Sequence, residues 1–575
     1  DTTVPNNGAI SGSESIIING INPTVNSVTS DDSNTTYKIG DNINIKIVFS
    51  ESVIVDTTNG TPTLTLVTNT NTPSNTSISY LSGSGSGELI FQYTVAEGNF
   101  SDNLNYLNTT SLTLNSGTIK NSLGNDATLT LPDPTADSNS LGNNKNIKVD
   151  GIKPVVSNVT STTPNGTYKI GINIDIIIVF SKTVVVTGTP TLTLVTNTNT
   201  PSNTAINYLS GSNSTNLVFQ YTIGSGDFSN DLDYLSTTAL LLNGGTIKDS
   251  IGNDSILTLA SPGASNSLGA NKSLSIDGIR PTISSFTADK SNDTFGINTQ
   301  IVITANTSED IQLGNQVVIT LDNSTDTTLT LTAQSAGTTM IGTYTVVEGN
   351  TTGTDNLKVK LIAPIDVSDN AGNQMIQTDS SLSVGTGIII DGIKPTLTQV
   401  TISSNNSNAS LAKQGNIITL AINASENITE PTVSFSIGGV SVTPNVSGSG
   451  SSYNATYTVQ SSQNGLVTFS ISSYNDSSGN SGVTVIKTTE PTTSVTVDNI
   501  SPILAQVTAI DTPSNDTTPS YIFTTDTAGT LSTSISQGFS SPNPANVTTG
   551  SNQTVTFNTL PQGTYSGETI TVTDA

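Results

Sequence analysis

Ten carboxylates recur at three fixed places along this chain, and together they make the donor set of a hard divalent cation. Four open a short junction: Asp150, Asp277, Asp391 and Asp498, in Asp150-Gly-Ile-Lys-Pro154, Asp277-Gly-Ile-Arg-Pro281, Asp391-Gly-Ile-Lys-Pro395 and Asp498-Asn-Ile-Ser-Pro502. Glu51, Glu309 and Glu426 each follow a serine at the end of an alternating run. Asp249, Asp369 and Asp476 begin a five-residue turn that closes in Gly-Asn. Calcium takes roughly six to eight oxygen ligands. A junction Asp, a strand-end Glu and a turn Asp that converge where two domains meet would supply them. A tight turn stiffened by proline accounts for the same Asp-Gly pairs without a ligand. Lys182 stands where the pattern has Glu, and Asn19 and Asn121 replace Asp, so calcium is least expected there.

Other chemistry is excluded or weak. The 575 residues contain no Cys, no His and no Trp. No disulfide forms, no thiolate or imidazole binds zinc, and no Ser-His or Cys-His pair can be assembled. Glu309 and Asp310 are adjacent, which on a strand points them to opposite faces and unsuits them to glycoside hydrolysis. Asp227, Asp231 and Asp233 correspond to Asn99, Asn103 and Asn105 in the preceding repeat, which favours loop solvation over metal. Lys38 and Lys169, or Lys120 and Lys248, recur as a Lys-Asn cross-link would need, but Phe295-Gly296 breaks the pattern. The segment from Ser82 to Gly87 is a flexible hairpin loop, lacking the strand-to-helix setting of a phosphate loop. No enzyme activity is expected.

These residues must be positioned by repeated elements. The junction prolines, with Pro23 of Asn19-Gly-Ile-Asn-Pro23, lie 131, 127, 114 and 107 residues apart, each an ordinary domain length. The spacing divides the chain into a leader (1–22), resembling a last strand, and modules 23–153, 154–280, 281–394, 395–501 and 502–575. The fifth stops at Asp574-Ala575, where its turn should begin, so the protein is expected to continue. The stretch from Thr61 to Thr76 returns letter for letter at Thr189 to Thr204, which marks duplication of a whole module. Ile43, Ile45, Ile47 and Phe49 alternate as a half-buried strand does, as do Ile174, Ile176, Ile178 and Phe180. Ile301 with Ile303, and Ile418 with Leu420 and Ile422, repeat the pattern. A Tyr-Thr-Val or Tyr-Thr-Ile run begins at Tyr93, Tyr221, Tyr344 and Tyr457, with the ring expected inside and the hydroxyl on backbone. With 33% apolar and 10% charged residues, the chain reads as all-β: a tandem array of Ig-like Greek-key sandwiches in an elongated rod, about 200 Å for five units.

The run from Tyr37-Lys-Ile-Gly40 through Phe49-Ser-Glu51, the Thr61 repeat, Tyr93-Thr-Val95 and the turn at Asn121 resembles the Ig-like repeats of large prokaryotic cell-surface proteins. It is particularly similar to those of surface-layer (S-layer) proteins of ammonia-oxidising archaea. The likeness covers the first two modules well and the last three through their landmarks. It implies an extracellular structural protein that self-associates into a surface lattice or fibre; a cell-surface adhesin stalk is the alternative. The start at Asp1, without Met, fits removal of a signal peptide. A net charge of −26 repels nucleic acid and attracts divalent cations. Sequons such as Asn34, Asn108 and Asn158 allow N-linked glycans, and no apolar run of about 18 residues is present to span a membrane.

Overall fold

A computed structural model describes residues 20–541 and 546–574. Most of the leader expected to resemble a last strand, residues 1–19 with Asn19, lies outside the described residues. The protein is almost wholly β, with two four-residue helices, Leu141–Asn144 and Leu268–Asn271, among the described residues. No helix there is long and apolar enough to cross a membrane. The chain falls into two compact units: one holds the residues up to Arg280 together with Ser368–Gln374, the other Pro281–Val367 and Met375–Ala575.

In the first unit two near-identical halves each enclose one core. Strand Asn42–Asp56 buries Ile43, Ile45, Ile47 and Phe49 on one face. It runs antiparallel to Val25–Ser30 and Ser86–Thr94, and its far end pairs with Thr118–Lys120. Thr63–Asn69, Ser74–Ser82 and Lys148–Asp150 build the opposite side, and Leu64, Leu66 and Val149 meet Ile45 and Phe91 in the core. The second half repeats this order with Asn173–Thr187 as its long strand.

The long strand does not end at Ser50-Glu51, as its alternation suggested; it bends there and continues to Asp56. Register shifts between Val48 and Val53, where the strand leaves Ser86–Thr94 for Thr118–Lys120. The same shift between Val179 and Val184 brings Val184 opposite Asp249. A bulge of this kind re-aims side chains, and here it sets residue 51 or 182 beside the turn. The serine of each corner pins the chain that follows the junction proline. Ser50, Ser181, Ser308 and Ser425 accept the amides of Thr24, Val155, Thr282 and Thr396 at 3.0–3.1 Å.

The second unit has three further cores, around Ile303 and Met340, Leu420 and Phe435, and Phe523 and Val555. The middle one lies between a sheet containing Ile417–Ala424 and another containing Thr432–Ile437.

Tyr93, Tyr221 and Tyr344 bury their rings and Tyr457 is half-buried, but the hydroxyls meet side chains, not backbone. Tyr93 donates to Asn99 Oδ1 at 2.7 Å and Tyr344 to Asn350 Oδ1 at 2.9 Å. Tyr221 donates to Asp227 Oδ2, and Tyr457 accepts from Gln463 Nε2. Each partner also caps its loop by accepting an amide, from Ala96, Val347, Gly224 or Gln460. The bridging side chain serves the loop and the buried hydroxyl together, which explains Asp227 without a ligand.

Candidate metal centres

Within the second unit Asp391, Glu426 and Asp476 each bring one carboxylate oxygen within 4.8 Å of the others. Asp391 follows strand Ile388–Ile390, whose chain it continues into the junction. Its Oδ1 accepts the amide of Ile393 at 3.2 Å, fixing the carboxylate, and its Oδ2 accepts Ser478 Oγ at 2.8 Å. Gly392 is required by close approach: a Cβ there would lie 2.4 Å from the Val347 carbonyl. The junction lysine is anchored nearby, Lys394 Nζ to Glu348 Oε2 at 2.6 Å, as Lys153 is to Glu97 at 2.8 Å.

Asp476 is 3% exposed and organises its turn. Oδ1 accepts the amides of Ser478 and Asn480 at 2.8 Å, and Oδ2 accepts Asn480 Nδ2 at 2.7 Å. Gly479 supplies the positive φ that the turn needs. Glu426 follows the corner serine. Burial first, then Asp476 and Asp391, push its carboxyl above the ordinary range. Among the described residues no lysine or arginine forms an ion pair with any of the three.

Asp277 and Asp369, both in the first unit, also approach within 4.8 Å through their carboxylates. Burial raises the Asp277 carboxyl; the Ile279 amide opposes that and Asp369 adds to it. Asp369 caps its turn as Asp476 does, accepting Asn373 Nδ2 at 2.8 Å. Glu309 holds the sequence position of Glu426 and lies in the second unit.

Elsewhere the predicted carboxylates have different company. Asp150 and Asp249 hold the ammonium of Lys182, with Nζ 2.8 Å from Asp150 Oδ2, 3.0 Å from Asp249 Oδ2 and 2.9 Å from the Ile152 carbonyl. Burial opposes the Lys182 charge, but the two carboxylates outweigh it and raise its pKa. Burial would likewise raise Asp249; Asn253 and Lys182 hold it below its ordinary value. Glu51 accepts Asn121 Nδ2 at 3.2 Å. Asp498 Oδ1 caps the Ile500 amide at 3.1 Å, and the corner beyond it carries Asp526, which accepts Ile503 N at 2.7 Å in place of the usual serine. Asp498 belongs to no three-carboxylate group among the described residues.

The residue that sequence reasoning passed over is the asparagine closing each turn. Asn253 Nδ2 donates to the Asp150 carbonyl at 2.8 Å, while its Oδ1 accepts the amide of Ile39 in the preceding module at 3.0 Å. Asn373 does the same with Asp277 and Ile170, and Asn480 with Asp391 and Ile297, at 2.7–2.9 Å. The turns of the second and fourth modules thus reach back and clamp the module before them. The available signal was the fixed Asn at the fifth turn position beside a fixed Gly40, Gly171 or Gly296 loop. Comparison with known protein families and with curated proteins finds no match for this chain.

Proposed function

We propose that this chain is an extracellular structural protein, built of tandem Ig-like sandwiches that self-associate into a surface-layer lattice or fibre. The clamp made by Asn253 and Asn480 carries the reading, because each asparagine couples its repeat to the one before it. Repeats tied in this way transmit orientation along a chain, which a load-bearing assembly needs and a freely jointed linker does not supply. The charge of −26 and the large share of Ser, Thr and Asn suit a hydrated, cation-rich exterior at the cell surface, with N-linked glycans on some sequons.

Calcium is the cation that the Asp391, Glu426 and Asp476 group fits. All three donors are hard oxygens, with no nitrogen or sulfur ligand to favour a transition metal. Oxygens that share one calcium ion at about 2.4 Å can stand no more than roughly 4.8 Å apart, and the three carboxylates are close enough to share one. Waters would complete the shell. The role is architectural, not catalytic.

Electron microscopy of the purified chain with calcium and with chelator tests this. Ordered sheets or fibres that loosen on chelation are expected. Solitary particles under all conditions would refute assembly and leave the adhesin-stalk alternative.

A further inference from the structure

The corner between junction, strand and turn recurs in the first, second and fourth modules with the same serine anchor, and its centre differs in each. In every case the corner serine pins the chain after the proline, at Ser50, Ser181 and Ser425. In the second and fourth modules the turn asparagine also clamps the junction carbonyl at 2.8 Å. The centre holds an amide in the first module, where Asn121 Nδ2 meets Glu51 Oε1 and the Ile21 carbonyl. It holds an ammonium in the second, where Lys182 Nζ is gripped by Asp150, Asp249 and the Ile152 carbonyl. In the fourth it holds three carboxylates.

Formal charge separates these centres. Glu51 beside the neutral Asn121 leaves one net negative charge, and so do Asp150 and Asp249 around Lys182. Asp391, Glu426 and Asp476 leave three. Exchanging Lys for Glu at this position changes the charge by two, and a divalent ion restores the balance where a monovalent ion does not. The lysine also shows which oxygens face the centre, since Ile152, whose carbonyl accepts from Lys182 Nζ, has Ile393 as its counterpart. Ile393 already lies at the rim of the fourth-module centre, its carbonyl accepting Asn480 Nδ2 at 3.2 Å.

We infer that Lys182 is a resident cation, its ammonium occupying the place that a divalent ion takes at Asp391, Glu426 and Asp476. The Asp150 junction is then locked without metal, and the Asp391 junction closes only when a divalent cation is supplied. This rests on the cation reading of the Asp391 site given above. One chain therefore carries a permanent joint and an ion-dependent joint of the same design, and swapping a single residue interconverts them.

The test uses the full chain, with hydrogen exchange followed at residues 249–253 and 476–480 in chelator and in calcium at about 1 mM, an extracellular level. In the parent, calcium should slow exchange about tenfold or more at 476–480 and leave 249–253 unchanged. Lys182→Glu should make 249–253 fast in chelator and slow in calcium. Lys182→Met, which removes the charge without adding a ligand, should make 249–253 fast in both. Glu426→Lys should slow 476–480 irrespective of calcium. No calcium response at 476–480 in the parent overturns both the cation reading and this inference. A response there, combined with Lys182→Glu exchange that ignores calcium, overturns the inference alone. Unchanged protection in Lys182→Met also overturns it.

Discussion

Replacing Asn253 by Ala should uncouple the second module's turn from the first module while leaving both cores intact. The side chain is 2% exposed and makes three bonds that no other group can supply. Nδ2 donates to the Asp150 carbonyl at 2.8 Å and to Asp249 Oδ2 at 2.9 Å, and Oδ1 accepts Ile39 N at 3.0 Å. The two neutral bonds contribute about 1 kcal/mol each and the bond to the carboxylate about 2 kcal/mol, since buried partners left unmet cost their desolvation. Water that enters the vacated space recovers part of this, leaving a local loss of about 3 kcal/mol. Several cores in one chain make a single unfolding free energy ill-defined, so the loss is best read amide by amide under native conditions. The Ile39 amide, whose acceptor disappears, should exchange about 100-fold faster, while the amide of Ile45 on the central strand keeps its rate. An Ile39 rate within about threefold of the parent would refute the clamp. Asn253→Asp offers a second view: it keeps an acceptor but sets a carboxylate against Asp249, so its defect should ease as pH falls.

Two further outcomes follow from other parts of the frame. Glu426 has its folded pKa raised above the ordinary 4.5, by burial first and then by Asp476 and Asp391. In chelator, the stability it contributes is therefore full below pH 4.5 and is lost as pH rises through the raised value. Protons compete with metal for the same oxygens, so the calcium-dependent gain in melting temperature should shrink as pH falls through that window; a gain independent of pH would contradict the site. Gly392→Ala places a Cβ 2.4 Å from the Val347 carbonyl and 2.8 Å from that of Asn350, both rigid backbone. It should cost about 2–3 kcal/mol in urea unfolding of the surrounding module. Gly40→Ala, in open space at φ +87°, should cost about 1 kcal/mol from backbone strain alone. Equal costs would mean that the close approach at Gly392 is unimportant.

The strands were legible because a half-buried strand writes its period directly into residues such as Ile43, Ile45 and Ile47. Four features were not. The corner at Ser50 looked like a strand end because alternation stops there, although the chain merely changes partner. Hydrogen bonds between modules leave no period, so Asn253 read as a local turn former: its own turn explains an asparagine equally well. Lys182 read as the loss of a ligand, since sequence displays the charge of a side chain but not the two carboxylates that converge on it. The tyrosine hydroxyls were misassigned for a related reason. An Asn or Asp six residues downstream, as at Tyr93 and Tyr221, can reach as readily as backbone, and only the loop's course decides between them.

The clamp also sets the path of mechanical load. Tension applied along the first two modules would reach the second through Gly151 to Pro154 if these four residues were the sole link. Asn253 adds a second path, from the turn of one module to the Ile39 loop and the Asp150 carbonyl of the other. Bonds arranged in parallel with a covalent tether must rupture before that tether can straighten. Stretching would therefore begin as a discrete yielding event at the joint, ahead of any loss of either core. A protein built this way is stiff under small forces and extensible beyond a threshold, and restoring the joint requires that Asn253 and Lys182 find their partners again.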